Sequence, residues 1–408
     1  MKKVRGILLS LMLVGLSTGC GDQIYLEEAE VILGIGIDLN ENDQLQITNS
    51  VPIISEQTAI ASQMVTTSSR NLRQAKDKLD LSVPGKSALG KIQNILIGRR
   101  LLEKKNLLPY LDVFFRNPKS EINARVIAVK GTIQEVDHAE FQGRVPGIFI
   151  KDLIDKSYES RNSVLTNLQQ VHRQLLNPES TPYLSEISVV NKKVLISGTA
   201  LLNRNGLYTT SLNKEETSTF LVLLEDTESP IPLNFPYRTG EMSILVEEAK
   251  NEIQTKYENG RFQFDIKPKL KVVIMEAIGE IDFPKQRDVL EQFIQKVIKK
   301  RYEDLICKFQ QHQIDPIGYG LYVKAFHYSY WKKIKDHWSE EFAKAKVTVT
   351  PSIEISNFGI KLYSNKSMAD IGYSRYFHAP LPVSTTLAYV KNNNSPGNDV
   401  PKSVMISY

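Results

Sequence analysis

Apolar positions along the chain change period several times, and each change marks an element. From Ala29 to Ile54 the run AEVILGIGIDLNENDQLQITNSVPII reads as two strands about the polar turn Asn40-Glu41-Asn42-Asp43, whose residue types favour a reversal. Gly34 and Gly36 form a Gly-x-Gly pair, but Leu39 stands where a dinucleotide loop needs its third glycine, so a hairpin is the reading there. Leu72, Ala75 and Leu79 then recur at helical spacing behind Ser69. IQNILIG reads as a short buried strand, RRLLEKKNLLPYL as helix and ARVIAVKG as strand. This alternation argues for mixed α/β structure. A further helix over 164–176 presents Leu165, Leu168, Val171 and Leu175 on one face and stops at Pro178.

Pro178 and Pro182 sit in the polar stretch NPESTPYLSE, which breaks the preceding helix and suggests a boundary. Beyond it, VLISGTALL and GLYTTSL flank Asn203-Arg204-Asn205-Gly206, a hairpin signal, and Asn213 with Glu216 has capping-box spacing ahead of a short helix. Pro230, Pro232 and Pro236 mark the next boundary. RFQFDIKPKLKVVIM alternates, with Phe262, Phe264, Ile266, Leu270 and Val272 on one face. From Pro284 to about Gln313 runs the longest helix, with an apolar stripe of Leu290, Phe293, Val297, Tyr302, Leu305 and Phe309, and VTVTPSIEIS follows as a strand. After Tyr363 the pattern weakens, and KNNNSPGNDVPK is rich in turn formers. The expectation is an α+β (mixed α/β) chain of about three domains, each a β-sheet with packed helices. Its divisions are a segment 1–19, a mixed α/β domain 20–182, a small hairpin-and-helix domain 183–236, a domain 237–363 with the long helix against a sheet, and a tail 364–408.

The amino end has its own pattern. Lys2, Lys3 and Arg5 precede ten mostly apolar residues, Ile7–Leu16, then Ser17, Thr18, Gly19 and Cys20, which is a secretory signal. Ten residues of helix reach about 15 Å, roughly half of the ~30 Å hydrocarbon core, so the segment is too short for a permanent span. Small residues just before cysteine resemble the lipobox of bacterial lipoproteins, which implies that Cys20 becomes the N-acylated, S-diacylglyceryl amino end of the exported chain. Cys307 is then alone, no disulfide can form within that chain, and its place in a helical pattern predicts a small core-facing side chain. No run after Cys20 approaches ~18 apolar residues, so no transmembrane span is expected there.

Composition narrows the function. A hydrophobic content of 41% with 24% charged residues is ordinary for a globular chain with a sizeable core. Loss of Lys2, Lys3 and Arg5 takes the formal charge from +5 to +2, which removes the basic footprint expected of a nucleic-acid binder. No Gly-x-Ser-x-Gly, His-Glu-x-x-His, Cys-x-x-Cys, P-loop or EF-hand pattern occurs. His327 and His337 flank HYSYWKKIKDH without a third ligand nearby, and the adjacent acids Glu27-Glu28 and Glu340-Glu341 read as solvated faces. The expectation is no enzyme, no cofactor and no metal. The aromatic run GYGLYVKAFHYSYW allows two readings, a partner surface or a closure of the core between the long helix and the last strand; the second is favoured because buried aromatics outnumber exposed hot spots.

The order of motifs then adds to these readings. Gly-Cys-Gly-Asp after the signal, ILGIGID, FFRNP with ARVIAVKG, SGTALLNRNGLYTTSLNKEET, DPIGYGLYV and finally the tryptophan- and lysine-rich segment that leads into KAKVTV together resemble the Ger(x)C lipoproteins, over about residues 20–362. These are the C subunits of nutrient germinant receptors in endospore-forming bacteria. The resemblance implies a three-domain exterior protein held by lipid to the outer face of the spore inner membrane, or of the cell membrane. Its partners would be two integral-membrane subunits of A and B type, and it would serve receptor assembly or the signalling that starts germination. The matching positions are Cys20 for the lipid, and Gly34, Gly36, Asp38, Arg116, Asp315, Gly318, Gly320, Trp331 and Trp338 as structural positions. The alternative is a solute-binding lipoprotein that captures a nutrient in an interdomain cleft.

Overall fold

Every residue of the strand Gly34–Leu39 is buried, the mark of a strand covered on both faces rather than one half-exposed to water. A computed structural model describes residues 29–53, 61–81, 86–88, 91–116, 121–277 and 283–358. Cys20 and the segments 1–19 and 364–408, expected to be a signal and a tail, lie outside the described residues. The first half of the chain carries β1 (Ala29–Val31), β2 (Gly34–Leu39), β3 (Leu45–Ile53), β4 (Ala61–Ser69), α1 (Leu72–Asp80), β5 (Lys86–Ala88), β6 (Asn94–Gly98), α2 (Arg99–Lys104), α3 (Leu108–Arg116) and β7 (Arg125–Val129). Next come α4 (Ile133–Asp137), α5 (Pro146–Glu159), α6 (Leu168–Leu176), β8 (Tyr183–Val190), β9 (Lys193–Leu202), β10 (Tyr208–Leu212) and α7 (Lys214–Leu223). The remainder holds β11 (Ile231–Tyr237), β12 (Gly240–Glu258), β13 (Arg261–Ala277), α8 (Phe283–Gln311), α9 (Tyr319–Phe326), α10 (Tyr328–Ile334), a 3-10 turn Lys335–His337, α11 (Trp338–Ala343), β14 (Lys346–Val349) and β15 (Ser352–Phe358).

An eight-stranded sheet runs in the order β10-β9-β8-β7-β6-β2-β3-β4. Its centre, β2, β6, β7 and β8, is parallel, and antiparallel strands close both sides. Alternate residues of the central strands enter different cores, as a period of two requires. Ile95, Ile97, Val126 and Ala128 pack with Leu101, Leu111, Phe114, Leu168 and Val171 on one face. Leu96, Ile127 and Val129 pack with Ile133, Val136, Ile150 and Ile154 on the other. Helices cover both faces, which is the layered arrangement that the strand-helix alternation predicts.

The second sheet runs β11-β12-β13-β14, with β15 also paired to β13. β14 and β15 are parallel to β13, so the chain must cross over the sheet between them, and α8 is that crossover. Leu290, Ile294, Ile298, Tyr302, Leu305, Ile306 and Phe309 form its buried stripe against Phe262, Phe264, Ile266 and Val272. Phe293 and Val297 lie beside that stripe, partly buried. This core also takes in Leu201 from β9 and Leu212 from β10, which joins it to the first sheet.

Five local expectations differ from what forms. The cap of α1 is Asn71, whose side chain accepts from Gln74 N, in place of the serine. The helix expected over 164–176 begins at Leu168, where Asn167 and Gln170 form a capping box. The proline stretch 230–236 is strand β11 at the edge of its sheet, the place where missing N–H donors are tolerated. The hairpin β9–β10, expected within a separate unit 183–236, is hydrogen-bonded through β8 into the first sheet. Cys307, expected in the core, is exposed on α8.

The stripe of α8 makes a prediction. Ile298→Ala removes a side chain with no exposed area and should lower unfolding stability by about 2–5 kcal/mol. Val289→Ala, at a 57% exposed position of the same helix, should change it by less than about 0.5 kcal/mol. Urea unfolding followed by circular dichroism reads both.

Candidate functional site

The residues singled out in the sequence gather at two places, each built on a buried aspartate. At the finishing ends of the parallel strands, Asp38 sits one residue before the end of β2. Its Oδ1 accepts from Leu39 N at 2.8 Å and Leu101 N at 3.3 Å, and its Oδ2 accepts from Ile133 N at 3.2 Å. Leu101 and Ile133 lie in the first turns of α2 and α4, where backbone N–H groups have no partner within the helix. A side-chain carboxylate in that place meets the positive ends of two helices. Gly98, at the end of β6, leaves room for it, since a Cβ there would fall 2.0 Å from Asp38 Cγ. Gly36 similarly makes room for Ile133, whose Cγ2 lies 2.4 Å from where a Cβ would stand. Burial pushes the Asp38 carboxyl up from its ordinary range, while the backbone donors of Leu39, Ile133 and Leu101 and the charge of Arg100 pull it back.

The second place lies at the starting ends of the same strands. After α8 the chain turns through Asp315-Pro316-Ile317-Gly318. Asp315 is fully buried; its Oδ1 accepts from Gly318 N at 2.9 Å, and its Oδ2 accepts from Gly320 N at 3.0 Å and from Trp338 Nε1 at 2.8 Å. Gly318 has φ +88°, a left-handed conformation that glycine adopts without strain. Gly320 allows a close approach: a Cβ there would fall 2.5 Å from Glu179 O and 2.8 Å from Trp338 Nε1. The Asp315 carbonyl accepts from Thr181 N at 2.9 Å, and Glu179 pairs with Lys324 of α9. Asp315, Gly318, Gly320 and Trp338 thus converge, and they tie α9 and α11 to the segment that leads into β8. Trp331 is buried beside Trp338, ring centroids 5.7 Å apart.

Arg116 joins neither place. Its side chain is exposed and pairs with Asp112 one turn earlier, at 2.5 Å. The aromatic run divides between the two readings: Tyr319 and Trp331 are buried, whereas Phe326, Tyr328 and Tyr330 are exposed. His327 Nε2 contacts Thr255 O at 3.1 Å, and no group of three His, Cys, Asp or Glu side chains among the described residues converges on a metal site. Two buried charge networks carry no short motif. Glu186 accepts from Arg99 at 2.5 Å, Ser197 at 2.9 Å and Ser211 at 2.7 Å. Arg161 donates to Asp226 at 2.9 Å, as does the Tyr158 hydroxyl. Glu186 is a lone charge in the apolar run YLSEISVV, the one sequence signal of the first, whereas Arg161 and Asp226 lie in polar stretches that give none. An open cleft beside the β3–β4 ends is lined by Asp43, Gln44, Arg70, Gln74, Lys105 and Tyr110; it lies against the first sheet alone.

Comparison with known proteins identifies this architecture. Residues 22–189 match the family described as spore germination protein N-terminal domain, and 197–359 match the family described as spore germination B3/GerAC like, C-terminal. Spore germination protein B3 of Bacillus subtilis (strain 168) is 22% identical, over 84% of this chain and 94% of its own length. Spore germination protein GerQC of Bacillus cereus is 20% identical, over 87% of this chain and 98% of its own length. The crystal structure of the GerBC protein shares the fold with TM-score 0.51 and 17% identity, covering 79% of this chain and 97% of that one. The chain belongs to the Ger(x)C family of germinant receptor subunits, and its role lies in spore germination. Among the described residues no helix is long and apolar enough to cross a membrane.

Asp315 yields a pH prediction. Burial pushes its carboxyl from 3.8 up to about 6, against the pull of Trp338 and the backbone donors. The folded value lies above the unfolded one, so the native state takes up the proton first. The stability this titration contributes is complete below about pH 4 and is lost as pH rises through about 6. Between pH 7 and 4.5 the unfolding free energy of the wild-type chain should therefore rise by about 2 kcal/mol relative to Asp315→Asn. Paired urea titrations at the two pH values measure the difference, and parallel curves would contradict it.

Proposed function

We propose that the chain is a lipid-anchored, non-catalytic subunit of a nutrient germinant receptor, needed for the receptor to assemble or to signal. Cys20 is the attachment point, and the body stands on the outer face of the spore inner membrane beside two integral-membrane subunits. One observation carries this reading: the family match begins at residue 22, two places after Cys20, and continues with one short break to residue 359. A match that starts just past Cys20 leaves the 1–19 segment outside the matched body, which supports an anchor at Cys20.

The chemistry of the body supports the same reading. Its most deeply buried acids, Asp38, Glu186 and Asp315, accept from the chain's own donors, so their hydrogen-bonding capacity holds the fold together. A subunit of this kind acts through its surfaces. Two acyl chains hold a protein stably at a bilayer where one holds it marginally. Confinement beside membrane partners raises their effective concentration without any new contact.

Cys20→Ala tests the proposal. Spores carrying it should contain a folded body, with circular dichroism and unfolding midpoint unchanged, that leaves the membrane fraction. Nutrient-triggered germination should fall at least tenfold, while a trigger that bypasses nutrients still works. A variant that stays membrane-bound and germinates normally with nutrient would exclude Cys20 as the anchor.

A further inference from the structure

The exposed part of the aromatic run remains unused by the core. Phe326 is 69% exposed and Tyr328 55%, with Tyr330 and Leu321 also outward. They stand on α9 and α10, two short helices fixed in place from below. Tyr330 packs on Tyr257 of β12 with centroids 4.5 Å apart, His327 holds Thr255 O, and Trp331 is buried. Between Tyr319 and His337 the chain carries Lys324, Lys332, Lys333 and Lys335 against a single acid, Asp336. Asp336 is already paired with Arg204, and Lys324 with Glu179. Lys332 lies 4.9 Å above the Tyr328 ring, and Lys332, Lys333 and Lys335 have no ion-pair partner among the described residues.

Amphipathic aromatics ringed by lysines suit the boundary between lipid headgroups and acyl chains. The ring bodies enter the apolar side, the hydroxyls and ammonium groups stay with the phosphates, and the long lysine stems span the two. Topology ties the foot of this cap, at Asp315, to a particular edge of the first sheet. Gly34, Asn94 and Arg125 are register partners in parallel strands, and β8 continues the series through Ile127 and Ser185. All four strands therefore begin at one edge. The chain from the amino end enters β2 at that edge, and Asp315 fastens the α9–α11 cap to the segment entering β8 at the same edge. Three strand spacings, about 14 Å, separate the two places. The nine residues from Cys20 to Ala29 reach at most about 30 Å, longer than that separation.

We propose that the Phe326, Tyr328 and Tyr330 surface with Lys332, Lys333 and Lys335 is a second membrane contact, which rests on the anionic phospholipid headgroups of the bilayer that holds the Cys20 lipid. This rests on the anchor reading for its place, but not for its chemistry. The partners are the phosphate groups of an anionic bilayer surface, drawn by lysine charge, while the aromatic rings enter the headgroup region.

The test uses the exported chain with Cys20→Ala, so that no acyl chain contributes. Flotation with vesicles of phosphatidylglycerol and phosphatidylcholine should recover the protein, and vesicles of phosphatidylcholine alone should not. Lys332→Glu with Lys333→Glu should weaken recovery at least tenfold, as should Phe326→Ser with Tyr328→Ser, and 0.5 M salt should abolish it. All four positions are exposed, and circular dichroism checks that the fold is kept. Recovery equal on the two vesicle types, or unchanged in both double variants, would overturn the proposal and leave the surface to a protein partner. Mass spectrometry of the wild-type amino end tests the anchor separately: a bare Cys20 in a chain that still floats would sink the anchor and leave the headgroup contact standing.

Discussion

Much of the second half of the molecule hangs on one buried carboxylate whose oxygens accept only from nitrogen. Asp315 meets Gly318 N, Gly320 N and Trp338 Nε1. Among uncharged alternatives, an amide would turn a donor toward donors, and a hydroxyl would offer too little acceptor capacity for three. The acid is held there at some expense in solvation, which its donors offset. What the arrangement achieves is closure. A 29-residue helix ends at Gln311, and the chain must then reverse to cover the far end of the sheet before β14. Asp315 fixes the reversal, seats the indole that closes the core between Phe262 and Phe342, and through its carbonyl binds Thr181 at the start of β8.

Asp38 performs the corresponding task at the other edge. In open parallel sheets the finishing ends of the strands, with their facing helix N-termini, are where anions and nucleotides are usually held. Here the chain's own carboxylate occupies that place and takes the free N–H groups of α2 and α4. Gly98 lacks a Cβ where Asp38 stands, so strand and acid depend on each other. The donors at this edge serve the fold, which directs attention to the outer surfaces for any contact with partners.

Local chemistry made much of this legible. Asn203–Gly206 and the Asn213–Glu216 pair specify their turn and cap within a few residues, and both form. The alternating strand β13 and the long helix were equally plain, because their periods persist over many residues. What escaped reading depends on distant partners or on phase. Asp315 stood out in DPIGYG, but its partner Trp338 is 23 residues later and Thr181 far earlier. Cys307 follows Leu305 by two places, about 200° around the helix, which turns it to solvent. β11 was hidden by Pro232 and Pro236, which an edge strand accepts, and α5 by the Pro-Gly at its start, where proline in fact suits the first turn. The aromatic run defied a single reading because neighbours such as exposed Tyr330 and buried Trp331 lie about 100° apart on one short helix.

The two aspartates also give the first sheet a direction. Asp38 seals the edge where β2 and β6 end, and Asp315 binds the cap to the edge where β8 begins. β2 also begins at this second edge. A tether through one residue limits how far a body can drift from a bilayer but leaves it free to tilt and turn. Orientation needs a second contact, set apart from the first and rigidly joined to it. The α9–α11 cap is rigidly joined to the body: Asp315, Trp338 and the Tyr257–Tyr330 pair hold it to both sheets. On the proposed reading, with the Cys20 lipid and this cap both at the bilayer, the Asp38 edge would face outward and the lateral faces of the body would stay open to neighbours in the same membrane.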